Sequence, residues 1–232
     1  MIGTAVLTSS FSTANSVSTY ATASISPTAN SVLIASLVYV VTGGATDTVA
    51  GLSLTWTERA TRTISASTRI TVWTAPAGAS PGSGALTFTH SANGATQSGT
   101  WDVIEVTGAD DAAPVVQAVT ANATSTTPTV NFAAAGNAAN RMFAFIGTNS
   151  NPTTTPRPSP AWTELTDHGV DTPSCTQEVQ WLSTATDTVA DGTLSLSASW
   201  GIAGLEIKAA SSLFPPGQIA GDRAALIRRS VW

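Results

Sequence analysis

Apolar and polar positions alternate with a period of two along much of this chain, as in Ile70-Thr71-Val72-Trp73-Thr74-Ala75, Gly84-Ala85-Leu86-Thr87-Phe88-Thr89 and Glu178-Val179-Gln180-Trp181-Leu182-Ser183. Side chains that point alternately into and away from a core produce this pattern, and the enrichment in Thr, Val, Ile and Trp suits a pleated, half-buried surface. Two runs, Val32-Leu33-Ile34-Ala35-Ser36-Leu37-Val38 and Met142-Phe143-Ala144-Phe145-Ile146, are apolar almost throughout. Gly, Pro, Asn and Asp punctuate the gaps, and Asn93-Gly94 and Asp191-Gly192 read as turn dipeptides. No stretch of residues 1–210 has helical periodicity, so the pattern predicts an all-β protein.

The predicted strands fall into two matching series. Leu54-Thr55-Trp56-Thr57-Glu58-Arg59 reappears as Pro160-Ala161-Trp162-Thr163-Glu164-Leu165, each preceded by an Asn (Asn30, Asn140) and an apolar run. Each is followed by a Trp-bearing strand (Trp73, Trp181), a Gly-led strand (from Gly84 and from Gly192), and a closing strand holding Trp101 and Glu105 or Trp200 and Glu206. Self-similarity in five ordered blocks indicates duplication. With the opening segments from Thr4 and Val115 and those around Tyr20 and Val130, each half holds about seven strands, the number of a sandwich or jelly roll. The division read from this is residues 1–108, residues 109–210, and an extension, 211–232. About eight residues join the halves, which favours one compact body.

The extension departs from the pattern. Leu213-Phe214-Pro215-Pro216-Gly217 reads as an apolar linker, and Ile219 to Trp232 as a short amphipathic helix. Left free, it would strand apolar side chains in water. It is expected to dock on a partner through Leu213, Phe214, Ile219, Arg223, Leu226, Ile227, Arg228, Arg229 and Trp232, with packing back onto its own sandwich as the alternative.

Composition sharpens the picture. Hydrophobic residues make up 42% of the chain and charged residues 10%, so Ser, Thr, Asn and Gly must finish the surface. Like-charge repulsion is then weak, which suits a protein packed in an assembly. The net charge of −5 offers no footprint for nucleic acid. The apolar run from Val32 to Val41 is too short to span a membrane. Met1-Ile2-Gly3-Thr4 is not a basic region followed by an apolar run, so no signal peptide is read.

Candidates for chemistry are few. The single cysteine, Cys175, has no internal partner and no Cys or His at metal-ligand spacing. Gly78-Ala79-Ser80-Pro81-Gly82 has the letters of a nucleophile elbow, but that device works between a strand and a helix, and here it joins two strands. Glu105 and Glu206 stand at corresponding places, which suggests a repeated structural hydrogen bond. The paired tryptophans read as core packing in preference to a sugar-stacking platform. Two loops remain as possible ligand or receptor contacts: the proline-stiffened Gly147–Pro160, with Pro152 and Arg157, and the polar turn Asp167-His168-Gly169-Val170-Asp171, where Asp167, His168 and Asp171 could bind a metal or a sugar hydroxyl but read first as a solvated turn. No catalytic, metal or cofactor site is expected.

Asn30-Ser31-Val32-Leu33, Trp56-Thr57, Val72-Trp73-Thr74-Ala75 and Val103-Ile104-Glu105-Val106-Thr107-Gly108 together resemble a group of β-sandwich modules in phage and bacterial surface proteins. The resemblance covers nearly all of residues 1–210. It implies a jelly-roll-like sandwich used as an adhesive or structural module, with no catalytic residues to carry over. The expectation is a non-enzymatic virion protein, a capsid decoration or tail-associated subunit present in many copies, whose partners are other virion subunits. The alternative is a module that binds a host glycan or receptor.

Overall fold

The structure, a computed structural model, describes residues 2–40, 47–90, 96–158, 160 and 162–211. No helix occurs among them. The first half forms β1 (Gly3–Ser12), β2 (Thr19–Ala21), β3 (Val32–Val40), β4 (Asp47–Ala50), β5 (Thr57–Thr63), β6 (Thr68–Pro76), β7 (Thr87–His90) and β8 (Ser98–Thr107). The second forms β9 (Val115–Ser125), β10 (Thr129–Asn131), β11 (Arg141–Thr148), β12 (Thr154–Pro156), β13 (Thr163–Asp171), β14 (Ser174–Leu182), β15 (Val189–Leu194) and β16 (Ala198–Ile207).

Each half is an antiparallel jelly roll with the same wiring. A five-stranded sheet of order β1-β8-β3-β6-β5 faces a three-stranded sheet β2-β7-β4, and β9-β16-β11-β14-β13 faces β10-β15-β12. Eight strands per half replace the seven expected. The strand missed in each half is short: β4 emerges from the glycine-bearing stretch 42–51 and β12 from the proline-rich stretch 147–160. Asp191 and Gly192 are also not a turn but lie inside β15, where Gly192 pairs with Pro156. A Cβ on Gly192 would sit 3.2 Å from Ile146 Cδ1, so glycine is used there for close approach. Asn93-Gly94 lies outside the described residues.

The two jelly rolls stack through their five-stranded sheets, giving four layers. One core fills each jelly roll, built around Leu37, Trp73, Phe88 and Trp101 in the first and Met142, Ile146, Trp162 and Trp200 in the second. A third joins them: Val32, Ile34, Ile70, Val72 and Ile104 meet Phe143, Phe145, Val179, Ala203 and Leu205. The inner strands of the two middle sheets, β3, β6, β8, β11, β14 and β16, are therefore buried on both faces. That is why β3 and β11 read as unbroken apolar runs and not as alternating ones. β1 lies against β13, and β5 against β9, as a pseudo-two-fold arrangement requires.

Register corrects the pairing of the tryptophans. Glu105 pairs with Leu33 and Glu206 with Met142. Counting equally from these glutamates, Trp101 corresponds to Ile202, and Trp200 to Gly99. In the first half the Tyr20 ring covers that glycine, and a Cβ there would lie 2.8 Å from Tyr20 Cε2. Trp73 corresponds to Gln180 and Trp181 to Thr74, because Ala75 and Leu182 are the partners of Leu33 and Met142. A slip of one position changes face, so Trp73 enters the first half's own core while Trp181 packs against the joint core. The packing role expected of the indoles holds even so. Trp73, Trp101, Trp162 and Trp200 are buried, and Trp56 packs half-buried against the first core.

Candidate functional site

The residues singled out for ligand contact cluster around β12 and the β13–β14 hairpin. Their surroundings differ from the expected loops. Pro152 is buried, and Thr154, two residues on, is part of β12, so this stretch is folded onto the sandwich instead of protruding. Arg157 is held by Asp187 at 3.2 Å and Asp191 at 3.6 Å and donates to the Val189 carbonyl, which ties the end of β12 to β15.

Asp167-His168-Gly169-Val170-Asp171 is not a turn but the last five residues of β13. Strand alternation then sends Asp167 and His168 to opposite faces, so the two do not share one ligand site. His168 points into the junction of the two halves, with its Nδ1 3.2 Å from Ser9 Oγ, and burial pushes its pKa down. Asp171 accepts a hydrogen bond from Asn151 Nδ2 at the exposed end of the hairpin. No group of three or more His, Cys, Asp or Glu among the described residues could hold a metal ion.

Asp167 belongs to an acidic face that the sequence reading overlooked. It lies directly across from Glu178 on β14, with Glu164 nearby on β13. Glu178 has no exposed surface, and burial, reinforced by Asp167 and Glu164, pushes its pKa up to about 8. Burial likewise raises Asp167, whose Oδ2 accepts from the Thr154 amide at 3.3 Å. At neutral pH Glu178 is largely a neutral acid beside the Thr154 hydroxyl, which removes the repulsion a row of carboxylates would create.

The duplicate gives a control for this pair. The first-half counterpart of Glu178 is Thr71, whose hydroxyl donates to Asp47 Oδ2 at 2.7 Å. Asp47 starts β4, the strand equivalent to β12, so acid and hydroxyl have exchanged strands between the halves. Asp47 is itself raised by burial and receives the Tyr39 hydroxyl. The Tyr39 and Tyr20 rings lie 5.4 and 5.3 Å from the His90 ring, closing this end of the first core.

Glu105 and Glu206 also serve structure, here without divergence. Glu105 accepts from the Thr28 amide and hydroxyl and from Ser31 Oγ at 2.9 Å. Glu206 accepts from the Asn137 amide at 3.3 Å, Asn140 Nδ2 at 2.6 Å and Gln117 Nε2 at 2.6 Å. Thr28 corresponds to Asn137 and Ser31 to Asn140. Each glutamate thus fastens the segment that enters the central strand of its own half.

Polar contacts also cross the joint core, where Ser98 Oγ donates to the Pro173 carbonyl at 2.7 Å. Gln177 of β14 donates to Asp102 Oδ2 of β8 at 2.6 Å and to Ser36 Oγ of β3, so one amide bridges the two halves. All three are fully buried. Burial raises Asp102 to about 7 although Ser9, Thr166 and Gln177 all face its carboxylate and counteract the rise. Cys175, on the same hairpin, is also fully buried, and its thiol is pushed up to about 11.

At the opposite end of the molecule the exits of the two halves are clasped. Ala109 bridges Ala209, the Asp110 amide donates to the Lys208 carbonyl, the Ala210 amide donates to the Gly108 carbonyl, and Lys208 Nζ meets Asp110 Oδ2 at 2.6 Å. An open groove of about 820 Å³ borders this clasp, lined by Ile2, Val116, Ala139, Arg141, Ala209 and Ser211 among others. The expected docking residues Leu213, Phe214, Ile219, Arg223, Leu226, Ile227, Arg228, Arg229 and Trp232 lie outside the described residues. No protein-family model matches this chain, and no curated protein and no solved structure is significantly similar to it.

Proposed function

We propose that this protein is a non-enzymatic structural subunit of a phage particle, a capsid decoration or tail-associated protein, which attaches through the segment following Ser211. The single observation that carries this reading is the clasp at the root of that segment. Two jelly rolls share a core, and both of their exits are locked together by the Ala109–Ala209 bridge and the Lys208–Asp110 pair. Whatever the segment binds is thereby joined to a four-layer block at a fixed point. The low charge of the chain, 10% of residues, suits close packing among many copies. Arg157 closes onto β15, and the two closing-strand glutamates secure their loops.

Deleting residues 212–232 tests the proposal. The shortened chain is expected to keep its circular dichroism spectrum and melting temperature but to vanish from particles purified on a density gradient, where the full chain co-migrates with them. Equal incorporation of both would refute attachment through this segment. Glycan-array binding by the shortened chain would instead make the block a receptor-binding module.

A further inference from the structure

The charges that act on Glu178 are both negative, Asp167 and Glu164, whereas Asp47 in the first half is eased by Arg69 and His90 as well as by the Tyr39 and Thr71 hydroxyls. The duplicate shows how this difference arose. Counting from Leu33 and Met142, Tyr39 corresponds to Thr148; counting from Ala75 and Leu182, Arg69 corresponds to Thr176 and Thr71 to Glu178. The Thr148 and Thr176 hydroxyls engage each other at 2.7 Å, and Thr148 also donates to the Ser150 carbonyl. The second half has therefore exchanged an arginine for a threonine and a threonine for an acid at the same enclosed end of its core. Asp167 faces Glu178 across β13 and β14. Both Glu178 carboxyl oxygens, Thr154 Oγ1 and Gln180 Oε1 are enclosed and form no hydrogen bond among the described residues. Glu178 and Gln180 are completely buried, Thr154 nearly so, Asp167 half-buried and Glu164 exposed, so the acids lead from solvent to these oxygens.

We propose that a calcium ion binds here, held by the Asp167 and Glu178 carboxylates together with the Thr154 hydroxyl and the Gln180 side-chain carbonyl. An all-oxygen set with neutral members suits this hard, geometrically tolerant cation, and water at the half-exposed Asp167 side can complete the 6–8 positions that calcium takes. Two carboxylates balance its charge, and Glu164 stays outside the set at the rim. Magnesium, which demands near-ideal octahedral geometry and dehydrates reluctantly, fits a largely enclosed set less well. Of the other charged groups here, Asp191 of β15 and Arg157 at the end of β12 are paired with each other, and His168 lies on the opposite face of β13. Calcium takes the place of the Glu178 proton, which passes to solvent, so binding tightens as pH rises. The affinity expected of two carboxylates is about 10⁻⁴–10⁻³ M.

Calorimetric titration of the chelator-treated full-length chain with calcium chloride, and separately with magnesium chloride, tests this. The expected result is one calcium per chain, bound more tightly at about pH 8 than at about pH 6, with a weaker response to magnesium. At a calcium concentration tenfold above the dissociation constant the melting temperature should rise by about 4 °C. Glu178→Thr, which installs the first-half residue, and Asp167→Asn, at the half-exposed position, should each weaken binding by about tenfold or more while leaving the circular dichroism spectrum unchanged. Asp167→Asn decides the matter if the buried substitution unfolds the chain. Absence of both heat and thermal shift at about 10 mM calcium, or binding that Asp167→Asn leaves unchanged, would overturn the assignment, the latter by placing the ion on other acids.

Discussion

Replacing Asp102 with Asn should make the protein more stable at alkaline pH while leaving it nearly unchanged at acid pH. The carboxyl is buried between the two halves, and its pKa stands at about 7 against an ordinary 3.8. Below about pH 4 the group is protonated whether the chain is folded or not, and its full contribution is present. Between pH 4 and 7 the unfolded chain releases the proton while the folded one keeps it, so stability declines as pH rises. Above about pH 7 both states are ionised and the loss is complete. A rise of roughly three pKa units, at 1.36 kcal/mol each, sets the loss at about 4 kcal/mol. Asn keeps an acceptor for Gln177 Nε2 and carries no charge, so it should avoid this cost. His168, which reaches Ser9 from β13, is the other titratable group at this edge; burial favours its neutral form, and its own titration cancels between the two proteins. Urea unfolding of both proteins at pH 4, 6 and 8.5 reads the effect directly. The two should agree within about 1 kcal/mol at pH 4, and the variant should lead by up to about 4 kcal/mol at pH 8.5. At about 2–4 °C per kcal/mol for a chain of this size, the melting temperature should rise by about 10 °C. A stability difference that does not change with pH would refute the argument.

Three further outcomes are expected. Glu206→Ala leaves the Asn137 amide, Asn140 Nδ2 and Gln117 Nε2 without their common acceptor and should cost about 3 kcal/mol in urea unfolding, with faster amide exchange at residue 137; Glu206→Gln should recover part of the loss. Cys175 should resist Ellman's reagent at pH 8 in the native protein and react at the rate of global unfolding, since its thiol is enclosed and its pKa stands near 11; rapid native-state labelling would contradict the enclosed position. Residues 1–110 expressed alone expose one side of the joint core, so sedimentation should find them associated or aggregated, and a stable monomer would count against the shared core.

Much of the fold was readable because it rests on period and punctuation. Alternation located the long strands, whereas the unbroken run of β3 was read only as an apolar stretch, and its burial on both faces emerges from the stacking of the two halves. β4 and β12, four and three residues long, are too brief to show a period, and Gly- and Pro-rich neighbours hid them. Matching letters paired the tryptophans, but a residue's face depends on register, and register needs the partner strand. β13 looked like a polar turn because an edge strand with one half-exposed face tolerates Asp, His and Gly. The bridge from Gln177 to Asp102 and Ser36 joins residues 75 and 141 positions apart, a distance at which nothing local in the sequence signals contact. The repeated glutamates were legible because duplication printed them twice.

The exchange of acid and hydroxyl between the halves limits how their strands can be recombined. Grafting β14 into the place of β6 would set Glu178 against Asp47, two acids competing for one enclosed space, whereas the reverse graft would leave Thr71 facing Thr154 with no acid between them. Chimeras made strand by strand should therefore fail where exchange of an entire half succeeds, so that since the duplication each copy has become a unit of inheritance that can no longer be shuffled in parts.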